Sequence, residues 1–186
     1  MSVQNLLRLG VLSLTLLSVG AWADDKAARQ AEVVKSTQAA MERFYKEKPA
    51  LKAAVAKAPG YGVFTTYGVS FLIGGSGGTG LVHDNKSRKN TFMKVGGASA
   101  GLQLGASQTE MLIVFKTPEA MHKFVESGWE VTNAVTASAG ASGATAGAGR
   151  GETAMQDAET YTLTKNGLEA GLSVGGSKFW KDKDLN

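Results

Sequence analysis

Cysteine is absent from the 186 residues, and there are only two histidines and three prolines. Without cysteine there is no disulfide, no thiol chemistry and no lipid-modified amino-terminal cysteine. Two histidines, His83 and His122, offer little for a metal. His122 stands three residues from Glu119 and four from Glu126, so on a helix it reaches either acid. A surface ion pair is the favoured reading, because no third ligand accompanies it. Charge of one sign is scarce as well. The net charge is +4, too little for a nucleic-acid protein, whose domains carry a dense basic face. Residues Asp24 to Gly60 hold 8 basic and 5 acidic side chains, and Tyr61 to Asn186 hold 11 of each. The surplus is therefore amino-terminal, enough for local attraction to an anionic surface.

Long apolar runs are equally rare. Leu9–Val19 is broken only by Gly10, Ser13, Thr15 and Ser18, and falls short of the ~20 residues a spanning helix needs. With Arg8 before it and the small-x-small triplet Ala21-Trp22-Ala23 after it, Met1–Ala23 reads as a secretory signal. Cleavage after Ala23 is expected to release Asp24–Asn186 as one domain in the periplasm, soluble or peripheral on a membrane. Retention of the segment as an anchor is the alternative.

The three prolines punctuate what is present. Asp24 to about Lys46 reads as an amphipathic helix with a stripe of Ala27, Ala31, Val34, Met41 and Tyr45. Its other faces carry Lys26, Arg29, Lys35, Arg43 and Lys46, either a solvated face or a membrane-surface face. Pro49 opens a second helix, Ala50–Ala58, and Pro59-Gly60 ends it. Strands are expected from Tyr61 to Ile73, then on both sides of the polar loop Asp84–Asn90. Ala98–Ala106 alternates small and larger residues, Ser107–Glu110 reads as a turn, and Met111–Phe115 as a strand buried on both faces. Thr117-Pro118-Glu119 starts a helix that Gly128 caps. Trp129–Val135 is a further strand, and Ala137–Gly151, almost all Ala, Gly, Ser and Thr, reads as a mobile loop. Glu159–Lys165 and Leu168–Val174 form a hairpin around Asn166-Gly167. The fold class is α+β: a glycine-rich, strongly curved or barrel-like, mostly antiparallel sheet, two amino-terminal helices and one inserted helix.

Gly75-Ser76-Gly77-Gly78-Thr79-Gly80 fits G-x-G-x-x-G. A dinucleotide site needs that motif to open a helix whose amino terminus holds the pyrophosphate. Leu81-Val82-His83-Asp84 continues instead as strand and turn, and no lysine follows for a Walker loop. The glycines therefore read as a bend, bulge or close backbone contact. No nucleophile elbow or triad pattern stands out, so no catalytic residue, cofactor or metal is assigned, and the chain is not read as an enzyme. One cluster remains. Lys86, Arg88, Lys89 and Lys94 fall within nine residues, with no acid from Asn85 to Thr109. On a hairpin they form one basic edge, which either blocks sheet-to-sheet pairing or meets anionic headgroups.

Several stretches together resemble the SYLF domain. They are Tyr61-Gly62-Val63-Phe64, the glycine run, Thr91–Gly97, Gly101–Gly105, Gly128-Trp129-Glu130, Tyr161–Leu168 and Gly176–Asn186. The resemblance is closest to the exported bacterial branch, and implies a lipid-binding module rather than an enzyme. Eukaryotic members are associated with phosphoinositides, membranes and actin; only binding of an anionic lipid or membrane surface transfers to a periplasm. In those members lipid contact is linked to a basic amino-terminal segment, whose nearest counterparts here are Lys26, Arg29, Lys35 and Arg43. Expected partners are anionic phospholipid or a membrane surface, with Phe179 and Trp180 as interfacial aromatics. The runner-up is a structural or protein-interaction module of the cell envelope.

Overall fold

The computed structural model describes residues 18–71, 73–100, 105–131, 157–164, 167–170 and 177–186. Among them run α1 (Ser18–Glu47), α2 (Ala50–Lys57), β1 (Gly60–Phe71), β2 (Ile73–Asp84), β3 (Asn90–Ala100) and β4 (Gly105–Phe115). Then follow α3 (Pro118–Ser127), β5 (Trp129–Val131), β6 (Ala158–Thr164), β7 (Gly167–Ala170) and β8 (Ser177–Lys181). The eight described strands form one sheet in the order β5-β8-β3-β2-β1-β4-β6-β7, antiparallel throughout. Among the described residues the sheet is open, with β5 and β7 at its edges, so the expected α+β class holds without closure into a barrel.

The pleat sends successive side chains to opposite faces. Val63, Leu112 and Val114 pack with Phe44, Leu51 and Val55 of α1 and α2. Phe64, Met111, Ile113 and Phe115 pack on the other face with Met121 and Phe124 of α3. Met111–Phe115 is thus buried on both sides, as its unbroken apolar run predicts. Helix α3 starts and stops where local chemistry dictates. Thr117 Oγ1 accepts from the Ala120 amide at 3.2 Å, Pro118 follows, and Gly128 takes φ +68° at the end.

Helix α1 lies across the strands. Val33 packs with Leu81, Phe92 and Leu185, and Phe44, further along, reaches Leu112, Val114 and Tyr161. Its buried stripe is Val33, Thr37, Ala40, Met41 and Phe44, whereas Ala27 and Ala31 are exposed. The expected stripe is rotated because a phenyl ring buries far more apolar area than a methyl group, so Phe44 outweighs two alanines. Thr37 tolerates burial because its hydroxyl donates to the carbonyls of Val33 and Val34, both at 2.9 Å.

Two expected turns are strands. The glycine run is most of β2, a central strand paired with β1 and β3 along its length. Phe71 pairs with Ile73, so β1 and β2 meet ahead of the glycine run and not within it. A central strand commits its backbone groups to its neighbours, so this run has no amides left to cradle a phosphate. The close-contact reading holds for Gly78 and Gly80, but not for Gly75 and Gly77, where an added Cβ meets nothing within 4 Å. A Cβ at Gly78 would lie 2.0 Å from the Thr65 carbonyl oxygen, and one at Gly80 2.1 Å from that of Val63. Ser107–Glu110 is likewise part of β4 rather than a turn. Its polar residues are accommodated because Glu110 meets Arg43 of α1. Residues 137–151, Asn166 and the stretches beyond Val131 and Ala170 lie outside the described residues; the expected hairpin of β6 and β7 forms, but Gly167, at φ +115°, pairs with Thr164 as the first residue of β7 rather than standing in the turn.

Candidate functional site

The loop between β2 and β3 is built from its own side chains. Asp84 Oδ1 accepts from the amides of Lys86 at 2.8 Å and Ser87 at 3.0 Å. Its carbonyl accepts from the Arg88 amide at 2.9 Å, and its amide donates to the Lys89 carbonyl at 3.0 Å. The bond from Ser87, then that from Lys86, holds the Asp84 carboxyl below its ordinary range, with His122 adding a favourable charge. Asn85 fastens the loop to the end of α2. Its Nδ2 donates to the carbonyls of Val55 and Ala58, both at 2.8 Å, and its amide to that of Pro59 at 3.0 Å. Arg88 sits at φ +59°, a left-handed conformation that costs a residue with a Cβ about 1 kcal/mol. The rest of the loop holds it there, and such strain persists only where surrounding structure imposes it.

The loop presents Lys86, Arg88 and Lys89 to solvent, and none of the three forms an ion pair with a described residue. The other expected site residues are arranged differently. Lys94 is not on an edge, because β3 lies between β2 and β8. It bonds Asp182 at 3.1 Å and Asp184 at 3.2 Å, and these two bonds raise its pKa. Arg43 grips Glu110 with both Nε and Nη2, the former at 2.8 Å, and its pKa is raised chiefly by that pairing. Lys26 Nζ donates to a main-chain oxygen of Asn186 at 2.8 Å. Arg29 and Lys35 are exposed on α1. Of eight expected basic residues, three come together, three are occupied in structure and two stand apart on the helix.

The expected interfacial pair also divides. Phe179 is in the core, its ring centroid 4.9 Å from that of Phe64. Trp180 is 40% exposed and Tyr67 61%. Both lie well along their strands from the β2–β3 loop, so they do not join its cations into one surface.

Beside the loop the structure shows what sequence reasoning missed. A hollow of about 410 Å³ opens between α1 and strands β1 to β3. Val34, Met41 and Leu81 give it an apolar floor, Tyr45 and Tyr61 give it aromatic walls, and Thr37, Gln38, Glu42, His83 and Asn90 complete its lining. His83 and Asn90 are the last paired residues before the loop. His83 Nδ1 and Asn90 Oδ1 stand 2.7 Å apart, and the imidazole lies 5.3 Å from the Tyr61 ring. Burial pushes the Tyr45 and Tyr61 phenols up, so both are neutral hydrogen-bonding groups at ordinary pH. No sequence pattern marks this hollow, because its walls come from four separate elements. Among the described residues no group of three metal-ligating side chains converges, and no helix is long and apolar enough to cross a membrane.

The sequence from β3 onward matches a family model, Ysc84, described as "Las17-binding protein actin regulator", over residues 96–186. Residues 96–186 belong to the Ysc84, or SYLF, family. Over 86% of its length the chain is 32% identical to Beta cell expansion factor A of Aeromonas veronii, of which it covers 60%. Over 70% it is 29% identical to LAS seventeen-binding protein 3 of Saccharomyces cerevisiae, of which it covers 30%. Protein YSC84 of the same yeast is 27% identical over 70% of the chain, which spans 29% of that protein. The chain thus spans less than two thirds of the first of these relatives and under a third of the two yeast proteins. LAS seventeen-binding protein 3 is named for binding, as the family description is. The basic loop and the hollow lie upstream of residue 96, so the Ysc84 match does not reach them.

Proposed function

We propose that this protein is a non-enzymatic, exported module that binds anionic lipid at a membrane surface in the periplasm, its signal segment removed after Ala23. The observation that carries the reading is the β2–β3 loop: three exposed cations without acidic partners, on a loop tied to the end of α2 and closed by its own hydrogen bonds. Near a charged bilayer each contributes ~1 kcal/mol. Together they supply roughly 3 kcal/mol, or about a hundredfold in affinity. Arg29 and Lys35 on α1 add to the attraction where the helix also faces the surface. Lys26, Arg43 and Lys94 do not, since each already has a partner.

Co-sedimentation of the protein with phosphatidylglycerol-containing vesicles tests this. Binding should rise with the anionic fraction, fall with salt and drop by about a hundredfold in K86A/R88A/K89A. Equal binding of the triple variant, or equal binding to neutral vesicles, overturns the reading. A second reading, a protein-interaction module of the envelope, draws on the relatives named for binding Las17 and on the exposed Tyr67 and Trp180. It predicts that a protein partner is lost on Tyr67→Ala and Trp180→Ala while vesicle binding stays unchanged.

A further inference from the structure

We propose that the hollow beneath α1 holds the single acyl chain of an anionic amphiphile whose phosphate lies on the β2–β3 loop. This rests on the surface-binding reading and adds to it a discrete site for one molecule. A surface contact made by lysines alone needs no cavity. Here a hollow of about 410 Å³ with an apolar floor and a polar rim lies beside the cationic loop, within the range of ligand sites, ~300–1,000 Å³. The chemistry grades along it. Val34, Met41 and Leu81 form the floor, while the polar side chains of His83 and Asn90 mark the end nearest the loop. A ligand with a long apolar part and one anionic end matches that order. A compact anion leaves the floor unfilled, and a neutral apolar molecule leaves Lys86, Arg88 and Lys89 unused.

The hydrogen bonds of Asn85 to Val55, Ala58 and Pro59 pin the loop to the end of α2, while His83 and Asn90 at its base stand on the rim. The bound conformation of the loop therefore exists before the ligand arrives, which lowers the ordering cost of binding. One feature opposes an anion. Glu42 is exposed on the helix side of the hollow. Its charge should weaken binding, so Glu42→Gln should tighten it two- to threefold. A cationic ligand gives the opposite sign.

The probe is 1-myristoyl-lysophosphatidylglycerol below its critical micelle concentration, titrated calorimetrically into the mature chain, Asp24–Asn186. Saturable 1:1 binding is expected, at least tenfold weaker with an eight-carbon chain, in Gln38→Trp, which fills the hollow from its exposed rim, and in K86A/R88A/K89A. On the unaltered protein, a lysolipid with a photoreactive group at the chain end should cross-link to the segments holding Val34, Met41 and Leu81, whether or not Gln38→Trp folds. No saturable binding, no dependence on chain length, or cross-links away from those segments overturns the proposal. The parallel vesicle assay separates the two readings. Vesicle binding without lysolipid binding removes the acyl slot and keeps the surface reading. Lysolipid binding sensitive to Gln38→Trp, without vesicle binding, keeps the slot and removes the surface reading.

Discussion

Gly77 and Gly80 stand three residues apart on the same central strand, and the fold predicts opposite fates for them. A Cβ at Gly80 would fall 2.1 Å from the Val63 carbonyl oxygen, 2.5 Å from Phe64 Cδ1 and 2.8 Å from Phe64 Cα. Two of these three atoms are backbone in β1, the neighbouring strand, so no rotamer change relieves the overlap. Val63 and Phe64 are themselves fully buried, one against α1 and α2, the other against α3. Overpacking that shifts backbone costs ~1–3 kcal/mol or somewhat more, and this site belongs at the upper end, ~3 kcal/mol. At Gly77 nothing lies within 4 Å of the added carbon. There Gly→Ala removes freedom from the unfolded chain and should stabilise by ~0.5 kcal/mol. With a urea slope of about 2 kcal/mol per molar, Gly80→Ala should lower the midpoint by ~1.5 M and Gly77→Ala should raise it slightly. Equal midpoints for the two variants would refute the view that β2 is glycine-rich for packing, since both alanines alter the intrinsic preference of the strand alike.

Four further outcomes follow from the same geometry. Lys94→Met should destabilise by ~3 kcal/mol or more, because it strands Asp182, 1% exposed and with Oδ2 already lacking a partner; adding Asp182→Asn should recover much of the loss in a double-mutant cycle. Arg43→Met should cost less than that, ~1–2 kcal/mol, because the guanidinium is half exposed although Glu110 is buried, and Glu110→Gln in the Arg43→Met background should restore stability. Tyr161 is pushed up to about 12 by burial and then by its bond to Glu159. Since an unfolded tyrosine ionises near ~10, this contribution is fully present below pH ~10 and lost by pH ~12, which a tyrosinate absorbance titration alongside thermal melts will show. Asp84 has the opposite sign: its lowered pKa stabilises the loop above the unfolded value of ~3.9 and ceases to do so as pH falls through the folded value, so Asp84→Asn should flatten the acid limb of the stability profile.

Much of this molecule follows from short-range chemistry alone. Pro49, Pro59 and Pro118 place helix boundaries, Thr117 and Gly128 cap α3, and the apolar run Met111–Phe115 specifies a strand covered on both faces. The β2–β3 loop is equally local: the amides of Lys86, Ser87 and Arg88 all donate to Asp84 within five residues. Such features are legible because the partners adjoin in sequence, and the three loop cations of the candidate site are legible for the same reason.

Only tertiary structure could decide the rest. A run of glycines has no side-chain pattern to declare a strand, and it becomes one because β1 and β3 flank it. Glu110 looks like a turn residue until Arg43, 67 positions away, neutralises it. Lys94 looks like a fourth surface cation until Asp182 closes on it from β8's far end. The α1 stripe is set by where Phe44 meets Leu112 and Tyr161, and the hollow exists only where one helix and three strands meet. The sequence by itself determined the helices, the class of the fold and the basic loop, because those depend on neighbours along the chain. Which charges remain free for a ligand, and where an apolar tail could lie, depend on contacts between residues far apart in sequence.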